Sequence, residues 1–164
     1  MAKSVKTATS FQPRPLPDFS LPSSDGQTVS PESLKGRWTV LFLYPADDTP
    51  TCTKEACDFS EAIPDFEGMG VSLYGLSKDS LAAHDKFIAK YGLKMPLLSD
   101  ESTQTIAAFE SWVPKVLYGR EYMGTDRSTF IIDPDGMIRH EWRKVRTPGH
   151  VGKVLDQLKL LMGH

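Results

Sequence analysis

From Trp38 to Tyr44 the chain is almost wholly apolar, β-branched or aromatic, and then it meets Pro45. Such a run suits a strand buried on both faces, in the middle of a sheet flanked by helices. Proline has no N–H for a strand ladder, so the strand stops there. Beyond a short loop, Cys52, Ala56, Phe59 and Ile63 recur at spacings of four, three and four, the apolar stripe of a helix. The pattern predicts a helix from Cys52 to about Ala62, ended or kinked by Pro64. Cys52 therefore falls in the first turn of a helix, just past a central strand. Amides there lack intrahelical partners and the helix dipole favours negative charge. That placement favours the thiolate, the nucleophilic form of cysteine.

The remaining chain fits around this unit. Pro13, Pro15 and Pro17 keep their segment extended, after a polar arm over residues 1–13. Asp18 to Leu21 alternates like a short strand, and the Asp25-Gly26 turn returns Gln27 to Val29 as a hairpin arm. Ser30 to Leu34 suits one helical turn. A second strand spans Gly70 to Ser77. Asp79 or Ser80 then caps a helix with Leu81, His84, Ile88 and Tyr91 on one face and Gly92 as its stop. Leu97-Leu98 is a short apolar piece and Thr103 to Phe109 a short helix. Trp112 to Thr125 has no clear period and reads as a loop with some strand. Ser128 to Ile132 and Met137 to Val145 form a hairpin across Asp133-Pro134-Asp135-Gly136. Pro148 opens a last helix with Val151, Val154, Leu155, Leu158, Leu161 and Met162 inward. The order β-α-β-α, connector, β-β-α predicts an α/β thioredoxin-like fold: one domain over 1–164, with a mixed central sheet flanked by helices and an N-terminal β-hairpin. Sites in open α/β sheets lie beyond the carboxyl ends of strands, where Cys52 falls.

Composition narrows the function. A formal net charge of −2 gives no footprint for nucleic acid or an anionic membrane. Met1-Ala2-Lys3-Ser4-Val5-Lys6 leads into no apolar stretch, and no run is long enough to span a bilayer, so a cytoplasmic protein is expected. There a pair of cysteines points to catalysis, redox chemistry or metal binding rather than a structural staple. The four histidines form no zinc-type spacing with Cys52 and Cys57, and there is no phosphate-binding or dinucleotide fingerprint, so neither metal nor organic cofactor is expected.

On spacing alone each candidate has a plain alternative. Cys52 reads equally well as an inert core cysteine. Thr49 suits a helix cap, Pro45 a strand terminator and Arg127 a surface ion-pair residue, though a charge leading into an apolar strand is unusual. Glu55 suits a first-turn charge, with a bond to Arg127 as the other option. His84 reads as a half-buried packing histidine.

Pro45-x-x-x-Thr49-x-x-Cys52 matches the peroxiredoxin signature, and Tyr44 through Phe59 resembles the bacterioferritin-comigratory or Q-type branch. The similarity continues through Gly75 to Asp79, His84, Phe87, Leu97 to Asp100 and Gly119 to Gly136, with Arg127 to Asp133 inside it. The resemblance implies a thiol peroxidase acting on hydrogen peroxide and alkyl hydroperoxides. Cys52 would be the peroxidatic cysteine and Cys57 the resolving one. Thr49 and Arg127 would bind thiolate and peroxide, and Pro45 would shield the sulfenic acid. Thioredoxin or a similar dithiol would reduce the disulfide, and an internal resolving cysteine favours a monomer. Thr51 stands where this family often has glycine. Competing readings on the same fold are a thiol-disulfide exchanger, though four residues separate the cysteines instead of two, and a redox-switched sensor or holdase.

The cysteine spacing carries a consequence of its own. Five residues of ideal helix separate two Cα atoms by roughly 8.6 Å and turn the side chains about 140° apart. A disulfide needs about 4.4–6.8 Å. Cys52 and Cys57 are expected to bond only after the start of the helix unwinds.

Overall fold

A computed structural model describes residues 11–163; residues 1–10 of the expected arm lie outside the described residues. The strands are β1 (Arg14–Pro15), β2 (Leu21–Pro22), β3 (Thr28–Val29), β4 (Trp38–Leu43), β5 (Val71–Ser77), β6 (Leu97–Ser99), β7 (Trp112–Leu117), β8 (Arg120–Thr125), β9 (Ser128–Ile132) and β10 (Met137–Trp142). The helices are α1 (Pro31–Leu34), α2 (Pro50–Glu61), α3 (Ile63–Gly68), α4 (Leu81–Tyr91), α5 (Gln104–Ala108) and α6 (His150–Met162).

One six-stranded sheet, ordered β1-β10-β9-β4-β5-β6, holds the molecule together. β4 pairs parallel with β5 and antiparallel with β9, so the sheet is mixed as expected. Residues of β4 alternate between two cores. Val40 and Phe42 pack with Phe59 of α2 and Val154 and Leu158 of α6. Leu41 and Leu43 pack with Leu98, Ile106, Phe109 and Phe130 on the other face. Both faces are covered, which is why Val40 to Leu43 are all apolar rather than alternating. The Phe42 and Phe59 rings stack 4.4 Å apart and tie the second half of α2 to the strand beneath it.

The capping chemistry matches the sequence closely. The Ser80 hydroxyl accepts the Ala83 amide at the start of α4, and Gly92 ends it in the left-handed region. Pro64 sits in the first turn of the new short helix α3. Boundaries differ elsewhere: the N-terminal hairpin strand is Leu21–Pro22, β10 ends at Trp142 rather than Val145, and α6 begins at His150.

The stretch from Trp112 to Thr125 is a correction. It is a regular two-stranded hairpin, β7 with β8, in register from Trp112↔Thr125 to Leu117↔Arg120. Tyr118 and Gly119, at φ 52° and 77°, form the two-residue left-handed turn that matches strand twist. No period marked it because neither face is fully buried: Val116, Leu117, Tyr118, Tyr122 and Met123 are exposed, and Pro114 interrupts the run.

Gly75 in β5 shows how close the packing is beside α2. A Cβ there would lie 2.7 Å from Leu97 Cδ2 and 2.9 Å from Phe42 Cζ, both fully buried side chains. Gly75→Ala is expected to cost about 1–3 kcal/mol by overpacking, read as a lower denaturation midpoint with an unchanged slope.

Candidate active site

The register of the sheet brings the site together. Leu43, the last residue of β4, pairs with Ser128, the first of β9. The chain leaving β4 toward Cys52 therefore passes beside Arg127. The Arg127 carbonyl accepts the Val145 amide at 3.0 Å, which holds that junction in place.

α2 begins two residues earlier than the apolar pattern showed, with Thr49 at the N-cap and Pro50 at the first helical position, where a missing N–H costs nothing. Cys52 is the third helical residue and 1% exposed. Arg127 Nη2 donates to Cys52 Sγ at 3.3 Å, and Nη1 donates to Glu55 Oε1 at 2.7 Å. One guanidinium thus spans two side chains a single turn apart on α2, and only 12% of its side chain is exposed.

Glu55 is itself 1% exposed, and its second oxygen, Oε2, is buried without a hydrogen-bond partner. Burial pushes its carboxyl up to about 7, against the Arg127 charge that pulls it down. The Glu55–Arg127 bond, one of two options from sequence, is the one observed.

The other residues singled out take different places. Thr49 is the N-cap by position, but its side chain makes no capping bond. Its hydroxyl donates to the Ala46 carbonyl at 3.1 Å, not to Cys52. Its oxygen keeps lone pairs free to accept. Pro45 is half-buried, and its carbonyl accepts Lys78 Nζ at 3.0 Å. Cys57 is half-buried, and both cysteines are free thiols within intact helix. Burial, then Glu61 and Asp58, push the Cys57 thiol up. The two sulfurs are thus distinct: one meets a cation, the other faces carboxylates. Thr51 is exposed on the first turn.

Sequence reasoning missed a polar network under the loop. Tyr44, Asp47, Ser77, Asp79 and His84 are joined by bonds of 2.6–2.8 Å. His84 is fully buried rather than half-buried. A buried histidine must find partners for both ring nitrogens, and that requirement was the available signal. Among the described residues no cluster of three or more His, Cys, Asp or Glu side chains is placed to hold a metal, and no helix is long and apolar enough to cross a membrane.

A thiol beside a guanidinium, at a helix start beyond a central strand, is the arrangement the sequence resemblance predicts. The profile of the AhpC/TSA family matches residues 13–141. The chain belongs to that family. It is 43% identical to peroxiredoxin Bcp of Bacillus subtilis over 143 residues, covering 87% of this chain and 91% of the relative. Putative peroxiredoxin bcp of Coxiella burnetii is 42% identical over 142 residues, covering 87% and 94%. Among solved structures, a variant of Xanthomonas campestris peroxiredoxin Q superposes with a TM-score of 0.83 at 39% identity, covering 87% of this chain and 90% of that one. A Xylella fastidiosa PrxQ variant gives 0.84 at 35% identity, covering 90% and 91%. The fold is the peroxiredoxin type of the thioredoxin fold, and the chain is a peroxiredoxin of the Bcp or Q branch, a thiol-dependent peroxidase.

The Glu55 carboxyl gives this peroxiredoxin a pH signature. Its folded value, about 7, lies above its ordinary 4.5. The folded state then holds the proton longer than the unfolded chain does. The protonated carboxyl's contribution is complete below about 4.5 and is lost as pH rises toward about 7. Denaturation across that window is expected to show a decline of at most on the order of 3 kcal/mol, which Glu55→Gln flattens.

Proposed function

We propose that Cys52 is the peroxidatic cysteine, and that the Arg127 guanidinium 3.3 Å from its sulfur is what makes it so. The thiolate attacks one oxygen of hydrogen peroxide or an alkyl hydroperoxide. The O–O bond breaks, the leaving oxygen takes a proton to become water or an alcohol, and the sulfur becomes a sulfenic acid. Arg127 stabilises the charge as it moves from sulfur to the leaving oxygen. Thr49 accepts the hydroperoxide's hydrogen through its free lone pairs, and Pro45 shields the oxidised sulfur. A Xanthomonas campestris bacterioferritin comigratory protein at 38% identity was studied for alkyl peroxide reduction, which supports the substrate class.

Cys57 is the resolving cysteine in this reading. Its thiol attacks the sulfenic sulfur, water leaves, and a Cys52–Cys57 disulfide forms. Both residues lie in regular helix, where ideal geometry keeps their Cα atoms roughly 8.6 Å apart. The first turns of α2 must therefore unwind between the two chemical steps. Thioredoxin or a similar dithiol protein then returns both thiols, and the short strained loop makes the disulfide easy to reduce. With both sulfurs on one chain, the enzyme works as a single-domain monomer in the cytoplasm.

Mass spectrometry after one equivalent of hydrogen peroxide tests the scheme. The wild type should lose two hydrogens as an internal disulfide, and Cys57→Ser should hold one added oxygen at Cys52. Arg127→Ala should slow Cys52 oxidation by about 10²–10³. Undiminished peroxide breakdown by Cys52→Ser would end the proposal.

A further inference from the structure

The loop that leads to the nucleophile is fastened by a buried histidine that the peroxidase chemistry does not use. His84 lies on the inner face of α4, with none of its side chain exposed. Its Nδ1 is 2.7 Å from Asp47 Oδ2, and its Nε2 is 2.8 Å from the carbonyl oxygen of Leu98 in β6. Asp47 Oδ1 accepts the Tyr44 hydroxyl at 2.6 Å, and the Asp47 side chain is 6% exposed. Both neighbours of the ring are therefore acceptors. A neutral imidazole carries one N–H and leaves one of them unserved; the imidazolium carries two.

The groups around the ring support that charge. Asp47 faces it from the loop, Asp79 from the β5–α4 junction and the Leu98 carbonyl from β6, with Tyr44 of the β4 end joined through Asp47. The Asp79 carboxylate is held by the Asp47 amide at 2.8 Å and the Ser77 hydroxyl at 2.6 Å. Burial pulls His84 down, but Asp47, the Leu98 carbonyl and Asp79 together outweigh it and raise the ring above its ordinary value of 6.5. The other bonds from α4 to this loop, Lys90 and Tyr91 to Asp48, are exposed, and exposed pairs hold weakly.

We propose that His84 is a positioning residue: as an imidazolium it clamps Asp47 and so sets the loop that carries Pro45 and Thr49 against Cys52. The proposal rests on the peroxidase reading of Cys52. Loss of the second ring proton removes one of the two bonds and opens the clamp. The sign follows from the raised ring. The clamp is complete below about 6.5 and is lost as pH rises through the folded value, so alkaline pH loosens the loop.

Three measurements on the reduced protein test this: ring-nitrogen NMR of His84, amide exchange over Thr51 to Ala56, and the rate of Cys52 oxidation by hydrogen peroxide against pH. In the wild type both ring nitrogens should carry hydrogen at neutral pH. At the alkaline pH where one is lost, first-turn protection should drop and the oxidation rate should fall from its plateau. His84→Gln and Asp47→Asn should each lose about tenfold in protection and oxidation rate at neutral pH and show no alkaline step. Asp47→Asn is nearly isosteric and serves alone if His84→Gln does not fold. A bare ring nitrogen at neutral pH, or variants with wild-type protection and pH profile, overturns the clamp. A wild type that does not react with peroxide overturns the peroxidase reading alone, since the NMR and exchange measurements still decide the clamp.

Discussion

The site depends on one guanidinium held out of water between a carboxyl and a sulfur. Arg127 is nearly buried, and so are both groups it touches, Glu55 and Cys52. A buried cation is costly unless it is paired. Glu55 supplies that pairing from one turn along the same helix, which leaves the second arm of the guanidinium aimed at Cys52. Lysine, a point charge on a flexible stem, does not serve two fixed partners at once as this planar fork does. The sheet exists in this order, as far as the site is concerned, to bring residue 127 beside residue 52. The antiparallel β4–β9 pairing does so directly, because β9 starts where β4 ends.

The two halves of α2 are anchored differently. Its second half is fixed by the Phe42–Phe59 stack and by the Ser60 hydroxyl, which accepts the Lys94 amide at 2.9 Å. Its first turn has no side-chain cap and depends on Arg127 and on the loop before it. The second half of α2 is thus more firmly held than its first turn. In the proposed cycle, oxidation of Cys52 removes the negative sulfur that Arg127 faces, which weakens the tie holding the first turn. The Thr51 side chain acts in the opposite direction. Threonine favours helix over glycine by a few tenths of a kcal/mol, so this protein's first turn is somewhat firmer than one with the usual glycine.

Much of the scaffold was legible because local signals agreed with it. Trp38 to Tyr44 showed a fully buried strand, Ser80 and Gly92 bounded α4, and Asp133 to Gly136 marked a turn. What escaped was set by contacts distant in sequence. The β7–β8 hairpin has no fully buried face, so no alternation announced it. The partners of His84, Asp47 and Leu98, lie 37 and 14 residues away, and an isolated histidine on an apolar helix face looks like packing. Glu55 and Arg127 could be named as a possible pair, but only the strand register put them 2.7 Å apart. The hydroxyl of Thr49 went to the Ala46 carbonyl because the loop turns back on itself there, a feature set by backbone course rather than by residue type.

The two cysteines occupy environments that suit the separate roles proposed for them. Burial, more than Glu61 or Asp58, pushes the Cys57 thiol up, so in intact helix it is protonated and a poor nucleophile. In the proposed cycle, unwinding moves it off the helix wall and removes the largest cause of that shift. Asp58 remains beside it in the chain, so relief is partial. Under that proposal the movement that brings the sulfurs within bonding distance is also the movement that activates the second one. A resolving thiol activated from the start would compete for peroxide before Cys52 had reacted. Coupling its activation to the unwinding orders the two steps in time with no further catalytic group.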